Sequence, residues 1–121
     1  MPAPMRAFIT AWRAMFEGNY EECLKAAEQC IEQYLDPEGV FYMGMIMAHI
    51  GETEKALEVL HESMIRGFSS LPVLRSNPWL DGLRATTGFA ELLAQVETRF
   101  IEAEAAYTAA QGSRILELAA Q

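Results

Sequence analysis

The 121-residue chain is poor in cysteine, in lysine and in long apolar runs, and each shortage excludes something. Its two cysteines, Cys23 and Cys30, lie seven residues apart. On one helix that spacing is about 10.5 Å along the axis, beyond the ~7 Å between Cα atoms that a disulfide tolerates. Neither has a neighbouring histidine, so no zinc ligand set forms around them. Both read as small core residues of a reducing compartment. Lysine and arginine together number 9 against 17 acidic residues, a net charge of −8, and Lys25 and Lys55 stand far apart. A chain this acidic, with no basic stripe, is not built to neutralise phosphates, and a nucleic-acid partner is not expected. No apolar run approaches the ~20 residues of a membrane span. The best candidate, Val40 to Ile50, reads as a buried helix. The opening MPAPMRAF lacks the basic start and apolar core of a secretory signal, so the expected location is cytoplasmic.

Catalytic chemistry is equally thin. His49 and His61 fall on different helices, and His61-Glu62 is not followed by the second histidine of a zinc-protease helix. No serine sits in a nucleophile elbow and no glycine-rich loop cradles phosphate. The chain is therefore expected not to be an enzyme and to need neither cofactor nor metal.

What the chain does hold is helical periodicity. Ala56, Leu57, Leu60, Met64 and Ile65 recur at helical spacing after the turn Gly51-Glu52-Thr53. Before that turn, Pro37 to Ile50 is apolar nearly all round, the pattern of a helix covered on several sides. The unit is a helical hairpin. A first hairpin precedes it, with helices over Phe8 to Phe16 and Tyr20 to Tyr34. Gly18 ends the first, Asn19 caps the second with Glu22 in the capping-box position, and Asp36-Pro37-Glu38 starts the third. Ser69 to Ser76, with Pro72, reads as an irregular connection. A short helix follows Asn77-Pro78, and a last helix capped by Thr87 runs through Phe89, Leu92, Leu93, Val96, Phe100, Ala103 and Tyr107 until Gly112-Ser113 interrupts it.

The two hairpins repeat. Gly18 and Gly51 are 33 residues apart, and at that offset Ala11 meets Gly44, Cys23 meets Ala56, Leu24 meets Leu57 and Cys30 meets Ser63. A period of 33 to 34 with two helices per unit is the signature of tetratricopeptide repeats. Residues 35–96 resemble the tetratricopeptide tails of bacterial signalling proteins such as adenylate cyclases, Ser/Thr kinases and transcriptional regulators. The markers are Asp36-Pro37-Glu38-Gly39, Gly51-Glu52, Ala56-Leu57, Gly67-Phe68, Asn77-Pro78-Trp79-Leu80, Leu83-Arg84, Phe89 and Leu92-Leu93. The resemblance implies an all-α, right-handed superhelix of two hairpins closed by a C-terminal capping helix pair. It divides the single domain, 1–121, into hairpins at 4–35 and 36–68, a partial repeat and cap at 69–110, and a tail at 111–121.

The same resemblance places the first helix of each hairpin on a concave face. Phe8, Trp12, Met15 and Phe16 would line it from the first hairpin, and Phe41, Met45, Ala48 and His49 from the second. Such a groove suits an apolar or amphipathic peptide, because aromatics supply area and methionine adapts to irregular shapes. Packing of the same residues against the C-terminal helix or a dimer partner is the competing reading. Co-chaperone repeats clamp a C-terminal carboxylate with Lys, Asn and Arg, whereas the aligned positions here hold Phe8, Trp12, Met45 and His49, which disfavours capture of a chaperone tail. The implied function is a protein–protein interaction or scaffolding module, regulatory in bacterial signalling. One alternative is an apolar or acyl ligand in the groove. Another is homo-oligomerisation, as a homodimer, through Phe100, Ala103 and Tyr107 on the long last helix.

Overall fold

A computed structural model describes residues 2–33 and 36–120, apart from the side chains of residues 113, 115, 119 and 120. Among the described residues the chain is all-helical, with no strand. The helices are α1 (Ala3–Phe16), α2 (Tyr20–Glu32), α3 (Pro37–His49), α4 (Thr53–Arg66), α5 (Leu71–Ser76), α6 (Asp81–Arg84) and α7 (Thr87–Ala120). A single 3₁₀ turn, Pro78–Leu80, links α5 to α6. α2, expected to reach Tyr34, ends at Glu32 with Gln33 as its C-cap, and Tyr34 lies outside the described residues.

The repeat read from the sequence is repeated in hydrogen bonds. The amide of Gly18 donates to the Met15 carbonyl and that of Asn19 to Ala14, at 3.1 and 2.9 Å. Thirty-three residues on, Gly51 donates to Ala48 and Glu52 to Met47, at 3.2 and 2.9 Å. Both pairs close the last turn of a helix in the Schellman pattern, which needs a left-handed residue. Gly18 and Gly51 supply it with φ of 77° and 90°. The next helix starts at once: Cys23 donates to the Asn19 carbonyl and Ala56 to Glu52. The caps differ. Asn19 accepts from the Glu22 amide and its side-chain amide donates to the Glu22 carboxylate, at 3.2 and 2.9 Å. Glu52 makes no side-chain cap.

Between the hairpins, Asp36 caps α3 by accepting from the Gly39 amide at 3.0 Å, with Pro37 at the first helical position. α3 is the middle of the body, packed by α1, α2, α4 and the 3₁₀ turn. Val40, Phe41, Met43, Ile46 and Met47 are all buried there, each stabilising by roughly 1.5–3 kcal/mol relative to exposure. A Cβ on Gly44 would lie 2.9 Å from the Leu60 side chain, so α3 and α4 approach closely because that residue is glycine.

Five expectations need correction. The first helix begins at Ala3, five residues before Phe8, with Pro2 and Pro4 at its start. Residues 71–76 are helical, because Ser70 accepts from the Val73 amide and Pro72 sits in the first turn, where proline starts a helix. Thr86, not Thr87, caps α7, its hydroxyl accepting from the Phe89 amide at 3.2 Å. Gly112 and Ser113 do not interrupt α7, which continues to Ala120. An exposed glycine costs a helix only about 1 kcal/mol relative to alanine, and the alanines around it sustain the helix. α7 thus runs across the expected boundary between a cap at 69–110 and a tail at 111–121. Ile65 also leaves the expected apolar series, facing outward and exposed.

Candidate functional site

Two surfaces compete for the role of site: the aromatic face of α1 and α3, and the far half of α7. On the first, Phe8, Trp12 and Phe16 recur every four residues along α1. Their rings form a ladder, Phe8 edge-on to Trp12 at 6.2 Å between centroids and Trp12 stacked on Phe16 at 6.1 Å. The 3₁₀ turn lays Trp79 against this ladder, 6.0 Å from Trp12, and on its other side 4.4 Å from the His49 ring. Asn77 holds that turn by accepting from the Trp79 amide at 2.8 Å. Arg84 donates to the Asn77 carbonyl at 2.8 Å and pairs with Asp81, tying the strap formed by residues 77–84 together.

The eight expected groove residues consequently divide. Met15, Phe41 and Met45 are buried in the core, and Phe41 packs edge-on against Phe68 at 5.3 Å. Phe8, Trp12 and Ala48 are half-buried, His49 is exposed with its ring against Trp79, and Phe16 is 76% exposed. An open groove lined by all eight is not present, because Trp79 packs between Trp12 and His49. The sequence signal for this was Asn77-Pro78-Trp79, whose tryptophan falls where α3 ends. What stays open is the strip of α1 that carries Ile9 and Phe16, with Met5 beside a shallow cleft of about 240 Å³ that also touches Phe8, Glu38 and Tyr42. The Tyr42 hydroxyl donates to the Glu38 carboxylate at 2.9 Å, and that carboxylate pushes the phenol pKa above its ordinary value.

The second surface is α7, 34 residues long and about 51 Å at 1.5 Å per residue. Phe89, Leu92 and Val96 bury one stripe of it against α4, α5 and α6. Steps of three and four residues carry the same stripe on through Phe100, Ala103, Tyr107 and Ala110. There it loses its cover: Phe100 is 53% exposed and Tyr107 66% exposed. The three residues of the expected dimer face therefore share one open line. Arg99 marks the edge of the body, donating to the Met64 carbonyl at 3.0 Å. Beside it lies a cleft of about 560 Å³ between α4 and α7, lined by His61, Met64, Ile65 and Thr98 among others.

Titratable chemistry is dispersed. Among the described residues no group of three or more His, Cys, Asp or Glu side chains is placed to hold a metal ion. Cys23 and Cys30 are buried free thiols, and burial pushes both up, Cys30 to about 11. At neutral pH such thiols are protonated and poorly nucleophilic. No described helix is long and apolar enough to cross a membrane. No family model matches the chain, and no curated protein or solved structure is significantly similar to it.

Proposed function

We propose that this chain is a non-catalytic protein–protein interaction module in which the far half of α7, rather than the concave aromatic face, carries the docking surface. The observation behind this reading is the continuity of the α7 stripe: the line that seats the helix on the body runs on through Phe100, half-exposed at the edge of the body, to Tyr107, which is 66% exposed. Contiguous apolar surface of this kind on a helix marks an interaction site. The two hairpins with matching turns 33 residues apart support a tetratricopeptide-like scaffold beneath it, closed by α5, α6 and the near half of α7. In bacterial signalling proteins such a scaffold would serve as a regulatory tail.

The reading of a small apolar ligand in the groove is less favoured, because Phe41 and Met45 are core residues and Trp79 fills the space between α1 and α3. A pull-down separates the surfaces. Wild type is compared with a Phe100→Glu/Tyr107→Glu variant and with Phe16→Glu, all checked for helicity by circular dichroism. Capture lost only with the α7 variant is the expected result. Capture lost only with Phe16→Glu would move the site to α1.

A further inference from the structure

We infer that the partner of the α7 stripe is the α7 of a second copy, packed antiparallel about a two-fold axis near Ala109. This rests on the interaction reading above and gives it an occupant. Three observations carry it.

The first is area. A compact chain of 13.5 kDa exposes roughly 6500 Å², whereas this one exposes 7472 Å². The excess of roughly 1000 Å² matches the ~800 Å² per partner that a stable interface buries. It lies on α7 beyond Arg99, where nearly every described residue is exposed.

The second is the direction of the stripe. Phe89, Leu92 and Val96 place the body on the stripe side of α7. Two parallel helices joined by their stripes would bring both bodies to the same end and the same side, where they collide. Antiparallel helices set the two bodies at opposite ends of the pair, and the stretch Phe100–Ala120, about 30 Å, overlaps alone.

The third is charge and size. Arg114 is the only basic residue after Arg99, among Glu102, Glu104 and Glu117. The antiparallel register that sets Phe100 level with Leu118 of the second copy also sets Arg114 level with its Glu104. It seats Tyr107 beside the small Ala110 of the second copy, and the two-fold makes every contact twice. A parallel register would oppose Glu104 to Glu104 and Tyr107 to Tyr107.

Sedimentation velocity on the full chain, from low to high micromolar concentration, tests this. The expected result is a monomer–dimer equilibrium. Tyr107→Glu should weaken it by at least about thirtyfold, as for a central interface residue. Arg114→Glu should weaken it less, and adding Glu104→Arg should restore it. All these positions are exposed, so thermal melting followed by circular dichroism should confirm folding in each variant. A wild type that stays monomeric overturns the second copy; if it still captures a protein through Phe100 and Tyr107, the interaction reading stands without it. A dimer indifferent to Tyr107→Glu overturns the use of this stripe. A charge swap that fails to restore dimerisation overturns the antiparallel register.

Discussion

The two hairpins share a turn and differ in almost everything that surrounds it. Gly18 and Gly51 close their helices with the same two hydrogen bonds, and Cys23 and Ala56, at the same offset, are both fully buried. Yet α1 presents Ile9 and Phe16 to solvent while α3 buries every residue from Met43 to Met47 and exposes chiefly Glu38, Tyr42 and His49. Local signals made the hairpins alike; their positions in the stack made them different. α1 is the outer helix, and α3 has α1 and α2 on one flank and α4 with the Trp79 turn on another.

The comparison is sharpest where the helices touch. Ala11 and Gly44 occupy matching positions, as do Ala27 and Leu60, and all four are buried. The first hairpin uses two alanines and the second a glycine with a leucine, so small size is distributed differently between the partners. Gly44→Val should destabilise the protein by about 3 kcal/mol, since the added carbons meet Leu60 inside a filled core. Ala11→Gly should cost about 2 kcal/mol, the helix-propensity difference plus one buried methyl. Urea unfolding measures both, and equal losses would break the distinction between the two contacts.

Trp79 is the next lever, because it joins Trp12 of the first hairpin to His49 of the second. Trp79→Ala should cost about 2 kcal/mol, below the 3–5 kcal/mol of a fully buried tryptophan because this ring is half-buried. Phe16→Ala, on an exposed ring of the same ladder, should change the unfolding midpoint little. A small effect of Trp79→Ala would mean the strap can lift from the aromatic face.

The smallest expected effect distinguishes Cys30 from its counterpart Ser63. Both are fully buried; the Ser63 hydroxyl donates to the Leu60 carbonyl at 2.7 Å, and the Cys30 thiol to the Pro4 carbonyl at 3.5 Å. Burial raises the folded Cys30 pKa from 9.0 to about 11. The folded state therefore holds this proton more tightly than the unfolded chain. Its stabilising effect is complete below pH 9 and is lost as pH rises toward 11. Denaturation followed across that window should show falling stability in the wild type and a shallower fall in Cys30→Ser.

Much of the helical layout was legible in the residues. Asn19-x-x-Glu22, Asp36-Pro37 and the glycines at 18, 51 and 67 are local start and stop signals, and each acts within one helical turn. Ser70 and Pro72 were readable by the same logic, but the proline resembled a break rather than a first turn. The groove was less legible. Aromatic and methionine residues on α1 and α3 mark a face that avoids water, and that pattern is the same whether a peptide covers it or Trp79 does. Gly112 misled for a different reason: its intrinsic cost is small, and a run of neighbouring alanines outweighs it.

The sequence by itself determined which residues form helices, where the two hairpins turn and which small residues lie at their contacts, because those choices depend on neighbours within a few positions. Only the tertiary structure decided that Trp79 fills the aromatic face and that Phe41 and Met45 are core rather than groove. Each of those depends on what approaches from far along the chain. Burial is a property of pairs of surfaces, and periodicity reports only one of them.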